Sequence, residues 1–122
     1  MPEGPLAHVL VVDDEPLIRT TAASLLAERG YRVCAAASVV EALKCLTDHP
    51  DIAVMITDIS LSDGDGWMLA KRAVAARPHL RVVYTSGVRG STEMGQSPQG
   101  VFLAKPYSLG RLVIAVANAL KD

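Results

Sequence analysis

Five short apolar runs alternate with segments of helical pattern along the chain, and that alternation restricts the fold more than any other feature. The runs are HVLVV at 8–12, YRVCAA at 31–36, AVMIT at 53–57, RVVYTS at 81–86 and VFLA at 101–104. Each is short and mostly apolar, and HVLVV is rich in β-branched residues, the pattern of a buried strand. Between the first two, EPLIRTTAASLLAERG has Pro16 in the first turn, apolar residues at Leu17, Ile18, Leu25 and Leu26, and Gly30 as a stop, which marks a helix. Ser38 with Glu41 three residues later forms a capping box ahead of Ala42, Leu43, Cys45 and Leu46. A third helix is expected from about Trp67 to Arg77, stopped by Pro78, and a closing amphipathic helix follows Ser108. Strands alternating with helices imply right-handed βαβ units and a parallel sheet covered on both faces, a doubly wound α/β domain.

With 122 residues the chain is expected to be one domain, 1–122, with its core at about 7–121. Half of the residues are hydrophobic but few are aromatic, so the core must rest on Val, Leu, Ile and Ala. A net charge of −1 gives no electrostatic footprint for nucleic acid or an anionic membrane, and neither is expected as a partner. The start MPEGPLAH lacks the basic and long apolar regions of a signal peptide, and no stretch is long enough to span a bilayer, so the cytoplasm is the default compartment. Cys34 and Cys45 share no CxxC or Cys/His spacing and read as buried thiols acting as small hydrophobes. His8, His49 and His79 are scattered and share no ligand spacing. Asp63 and Asp65 lack the later bidentate Glu of a calcium loop and read as a turn.

In a doubly wound sheet, ligands sit outside the carboxyl ends of the strands. That edge collects Asp13 and Asp14 after the first strand, Asp58 after the third, Thr85 and Ser86 at the end of the fourth, and Lys105 after the fifth. Two adjacent carboxylates repel by about 4 kcal/mol at about 4 Å and an effective dielectric near 20. A hard divalent cation offsets that cost, and Asp13, Asp14 and Asp58 together suit an octahedral Mg²⁺ completed by water. A carboxylate also serves as a nucleophile toward phosphorus. Asp58, on the central strand beside a glycine-containing loop, is the best placed of the three, with Lys105 and Ser86 available to the transferring group.

Four segments in order, VVDDEP, TDISLSDGDG, YTSG and FLAKP, resemble the response-regulator receiver domain over essentially the whole chain. The resemblance implies a flavodoxin-like five-stranded parallel sheet of order 2-1-3-4-5 with helices on both faces. It implies Asp58 as the phosphoacceptor, with Gly66 the eighth residue beyond it, and Mg²⁺ or Mn²⁺ held by Asp13, Asp14, Asp58 and the backbone carbonyl of Ser60. Asp14 is expected on the metal and Asp13 largely through water. Ser86 takes the hydroxyl role of the switch, Phe102 the rotating aromatic, and Pro106 follows Lys105 across a bond that is cis in the family. Two departures stand out. Ser62 replaces a frequent proline, and the span from Ser86 to Lys105 is short and holds Gly90, Gly95, Pro98 and Gly100, so the fourth helix is expected to be short or missing and the segment irregular.

The expected function is phosphoacceptor signalling: a histidine kinase or histidine phosphotransfer protein donates a phosphoryl group to Asp58, and an unidentified downstream protein reads the change. The domain is not expected to be an enzyme beyond its own phosphorylation and dephosphorylation. A phosphatase built on an aspartate nucleophile would carry a second Asp two residues on, where this chain has Ser60. A degenerate receiver acting as a binding module would have lost the acidic pair and the lysine, and both are present. With no output segment after Lys121, the sequence reads as a stand-alone receiver, the alternative being one cut from a hybrid kinase.

Overall fold

The computed structural model describes residues 6–87 and 100–121. The elements run β1 (His8–Val12), α1 (Pro16–Glu28), β2 (Arg32–Ala36), α2 (Val39–Asp48), β3 (Ile52–Asp58), β4 (Ser60–Leu61), β5 (Gly64–Asp65), α3 (Gly66–Ala76), β6 (Arg81–Ser86), β7 (Val101–Ala104) and α4 (Leu109–Leu120). The main sheet has five strands in the order β2-β1-β3-β6-β7, and every neighbouring pair is parallel. That is the expected 2-1-3-4-5 order, counted over the strands of this sheet. The expectation of a short or missing fourth helix falls on residues 88–99 and lies outside the described residues.

Side chains alternate between two cores. Leu10, Val12, Met55, Val82 and Tyr84 face Leu69 and Ala73 of α3 and Ala42 and Leu46 of α2. Val9, Val11, Val54, Ile56 and Val83 face Leu26 of α1 and Leu112 and Val116 of α4. The period of two along each strand sends successive residues to opposite faces, so continuous apolar runs are what a doubly covered sheet requires. Three of the chain's aromatics gather on the first face: Tyr84 stacks on Phe102 at 5.3 Å between centroids, and Trp67 lies 4.6 Å from Tyr84 and 5.9 Å from Phe102. Gly100 is the close approach that admits this cluster, since a Cβ there would lie 2.5 Å from the Tyr84 ring.

The caps explain where the helices begin. Ser38 accepts the Glu41 N–H at 3.1 Å, and the Glu41 carboxylate reaches back to the N–H of Ala37, one residue before the cap. Ser108 accepts the Arg111 N–H in the same way. The SDGDG segment, expected to be a turn, holds the turn at Ser62 and Asp63 and the second strand of a two-stranded antiparallel hairpin, β4 with β5. Its two acids both work as caps: Asp65 accepts the Met68 N–H of α3 at 2.7 Å, and Asp63 accepts the Val39 and Val40 N–H groups of α2 at 2.8 and 3.2 Å. Those hydrogen bonds hold the Asp63 carboxyl below its ordinary range.

Two readings of scattered residues are corrected. Cys34 and Cys45 are only half-buried, and their sulfurs sit 2.9 Å apart, joining β2 to α2, both as free thiols. Burial, reinforced by Cys34, pushes the Cys45 thiol up to about 12. His8 and His49 are neighbours, with ring centroids 5.2 Å apart. In both cases the pair comes from the packing of α2 against the first strands, which spacing along the chain does not encode.

Candidate functional site at the carboxyl edge of the sheet

β1 and β3 are adjacent and parallel, so the residues that follow them emerge side by side: Val12 pairs with Thr57, and Asp13 and Asp58 come next in each strand. Asp13, Asp14 and Asp58 each offer a carboxylate oxygen within 4.8 Å of the others. Asp13 and Asp58 are buried, at 3% and 9% exposure, and Asp14 is the most open of the three. Lys105 Nζ bridges the two buried acids, donating to Asp13 Oδ2 at 2.8 Å and to Asp58 Oδ2 at 2.9 Å. Burial works against the lysine's charge, but the hydrogen bonds to Asp13 and Asp58 outweigh it and hold the ammonium above its ordinary value.

The surrounding backbone fixes each group. Asp13 Oδ1 accepts the Glu15 N–H at 2.9 Å, which turns the chain into α1, and Arg19 Nη1 donates to the Asp13 carbonyl. Both Asp13 oxygens are thereby engaged within the protein. Asp58 Oδ1 accepts the Ser60 N–H at 3.2 Å, and the buried Thr57 hydroxyl donates to the Asp58 carbonyl at 3.0 Å. The Ile59 N–H donates to the Thr85 carbonyl, and the Lys105 N–H to the Ser86 carbonyl at 2.8 Å, so β6 carries both the loop after Asp58 and the lysine segment. Ser86 is buried at the end of β6, and the Lys105–Pro106 bond is cis. Burial pushes the neighbouring Tyr107 phenol up, and Asp13 adds to the shift.

Gly66 completes the frame. Its N–H donates to the Ile59 carbonyl at 2.7 Å, and a Cβ on it would lie 2.3 Å from the Asp58 carbonyl oxygen. No larger residue fits without moving Asp58. The roles of Arg19, Thr57 and Asp63 were not legible in the sequence, because each side chain serves a backbone group whose position relative to it is set only on folding.

Three carboxylates suit a hard divalent ion by chemistry and spacing, and the half-buried lysine suits an anion. A parallel α/β domain with an acid cluster and a lysine at its carboxyl edge defines the class of protein, and comparison with known proteins gives the family. Residues 9–117 match the family model of the response regulator receiver domain, and the chain belongs to that family. It is 30% identical over 119 residues to the sensor kinase CckA of Brucella abortus (strain 2308), covering 94% of this chain and 13% of that protein. It is 29% identical over 119 residues to the TorCAD operon transcriptional regulatory protein TorR of Escherichia coli (strain K12), covering 93% of this chain and 50% of TorR. The crystal structure of a response regulator receiver domain protein from Clostridium thermocellum superposes with a TM-score of 0.85 at 30% identity, covering 94% of each chain. The chain thus spans half or less of the length of these two sequence relatives. As a receiver domain it has a phosphoacceptor signalling role of the two-component kind. Among the described residues, no helix is long and apolar enough to cross a membrane.

Proposed function

We propose that the chain, as one receiver domain, takes a phosphoryl group onto Asp58 from a phosphohistidine of a kinase or phosphotransfer protein in the cytoplasm. The observation that carries this reading is the convergence of three carboxylates within 4.8 Å, two of them joined by Lys105. In the transfer, an Asp58 carboxylate oxygen forms the new bond to phosphorus as the phosphorus–nitrogen bond to the donor imidazole breaks, and the imidazole leaves with that electron pair. Asp13, Asp14, Asp58 and the Ser60 carbonyl would hold Mg²⁺ or Mn²⁺, which supplies charge neutralisation for the phosphoryl oxygens. Asp14, the most open acid, would bind it directly, and Asp13, with both oxygens engaged, through water. Lys105 pairs with Asp58 at rest and follows the phosphoryl once it is attached. Ser86 would donate a hydrogen bond to the phosphoryl group. Phe102, stacked on Tyr84 one residue before Thr85, is the aromatic that responds.

A protein donor fits the surroundings. Leu17, Val40, Met68 and Leu109, four large exposed hydrophobics, lie in the first turns of α1, α2, α3 and α4. In parallel βαβ units, all four helices start at the carboxyl edge, so an apolar ring surrounds the acid cluster. A groove of about 460 Å³ lined by Leu17, Ile18, Ala22, Lys105, Pro106 and Leu109 opens beside it. Exposed apolar surface rimming a charged centre is what a protein carrying the phosphohistidine would cover. Incubation with acetyl phosphate and Mg²⁺ tests the assignment. Intact mass should rise by one phosphoryl group, and label that persists in Asp58→Asn would remove Asp58 from the role.

A further inference from the structure

The opposite, amino edge of the sheet holds a second cluster with different donors. His8 opens β1 and is 6% exposed, and its Nδ1 lies 3.0 Å from Asp51 Oδ1. The His49 ring meets it edge-on, with planes at 67°. One ligand atom from each of His8, His49 and Asp51 lies within 4.8 Å of the others. We propose that these three residues form a second metal site, selective for Zn²⁺ and separate from the acidic site.

The donor set argues for that ion. Two imidazoles and one carboxylate suit Zn²⁺, whereas Mg²⁺ prefers oxygen ligands throughout. The backbone that carries the ligands is braced. His8 lies between Arg32 of β2 and Ile52 of β3 in the sheet register. His49 and Asp51 flank Pro50 in a turn closed by the Ile52 N–H on the His49 carbonyl at 3.2 Å, and Arg77 Nη2 donates to that same carbonyl at 3.0 Å. Arg32 Nη1 engages the other Asp51 oxygen, Oδ2, at 2.6 Å, leaving Oδ1 turned to the imidazoles. An outer hydrogen bond of this kind orients a ligating carboxylate. The metal would lie between His8 Nδ1 and Asp51 Oδ1, in place of the hydrogen bond that now joins them. The Asp51 side chain is 47% exposed, so water can fill the fourth position. β3 separates the two sites: Asp51 precedes its first residue and Asp58 is its last, about 23 Å away at about 3.3 Å per residue.

The test is calorimetric titration of the full chain with ZnCl₂ in excess Mg²⁺, with Co²⁺ absorption as a report of coordination. One Zn²⁺ per chain, intense visible bands with Co²⁺ and a raised thermal midpoint are expected. His49→Gln and Asp51→Asn, chosen because neither residue is buried, should each weaken Zn²⁺ binding at least tenfold while keeping the wild-type circular dichroism. Asp58→Asn and the double variant Cys34→Ser, Cys45→Ser should retain it. Absence of Zn²⁺ binding in the wild type would leave His8 and Asp51 as a structural ion pair only and overturn the proposal. So would full binding in both His49→Gln and Asp51→Asn, or loss of binding in the cysteine variant.

Discussion

The two edges of the sheet arrange charge in opposite ways. At the carboxyl edge, Asp13, Asp14 and Asp58 crowd within 4.8 Å, and one ammonium bridges two of them. At the amino edge, the Asp51 carboxylate has two partners, His8 at 3.0 Å and Arg32 at 2.6 Å. One edge keeps like charges close, which lowers stability and suits an incoming cation or phosphoryl group. The other neutralises its charge and ties the start of β1 to the turn before β3. Removing an acid should therefore stabilise the first edge and weaken the second, and the effects below test that contrast from the largest to the smallest.

Glycine substitutions at the two edges should separate the geometry around Asp58 from stability. In Gly66→Ala the new Cβ would meet the Asp58 carbonyl oxygen at 2.3 Å. Overpacking against backbone costs about 1–3 kcal/mol or more and moves Asp58 itself. Gly30, at the amino edge, has φ +99°, and a Cβ there would make only ordinary van der Waals contact, with the Leu6 side chain at 3.6 Å. There alanine costs only the left-handed backbone, about 1–2 kcal/mol. Both variants should melt earlier, and only Gly66→Ala should slow phosphoryl uptake from acetyl phosphate. Equal uptake by the two would show that Gly66 does not position the acceptor.

Lys105→Met leaves Asp13 and Asp58 facing each other with no ammonium between them. The expected loss is about 2 kcal/mol, less than for a fully enclosed pair because water reaches this edge. The lysine is held above its ordinary value of 10.5 by the two acids, against the pull of burial. Its contribution is therefore complete at neutral pH and lost only as pH climbs past that value, so melts near pH 7 capture it in full. Millimolar Mg²⁺ should narrow the gap between variant and wild type by restoring positive charge. A gap unchanged by Mg²⁺ would argue that the lysine acts through packing.

Asp14→Asn carries the contrast further, since it removes charge without removing volume. Without metal it should melt later than the wild type by an amount corresponding to about 1 kcal/mol of relieved repulsion. It should also lack the rise in melting temperature that Mg²⁺ is expected to give the wild type. An earlier melt would mean that Asp14 already has a stabilising partner at rest and that the crowding argument fails for it.

How much of this was legible in the sequence follows the range of the interactions. The five strands, the helix starts at Pro16, Ser38 and Ser108, and the gathering of Asp13, Asp58 and Lys105 at one edge could be read because a parallel sheet maps strand ends onto one edge. The His8, His49 and Asp51 cluster could not, because His8 and His49 meet only when the end of α2 packs beside the start of β1. The contact of Cys34 with Cys45 escaped for the same reason. Asp63 looked like a turn residue, and it is one, but its carboxylate serves a helix 24 residues earlier. Local spacing records what a residue does for its own turn, whereas service to a distant backbone leaves no period to read.

α2 supplies the smallest and most specific test, because its two ends are held by side chains from the two edges. At the carboxyl edge, Asp63 accepts the Val39 and Val40 N–H groups at its start. At the amino edge, Arg77 donates to the Leu46 and His49 carbonyls at its end, at 2.9 and 3.0 Å. An acid at the start of a helix and a guanidinium at its end both complement the helix dipole and satisfy end groups that have no partner within the helix. Asp63→Ala and Arg77→Met should each lower the melting temperature modestly at pH 7, but their pH dependence should differ. The N–H groups of Val39 and Val40 hold the Asp63 carboxyl below its ordinary value of 3.8. A carboxyl lowered on folding contributes stability that is present above that value and is lost as pH falls through its folded value. The difference between Asp63→Ala and wild type should therefore shrink as pH falls below about 3.8, whereas that for Arg77→Met, whose guanidinium stays charged, should persist. Parallel loss of both differences in acid would indicate that α2 unfolds as a unit before Asp63 titrates.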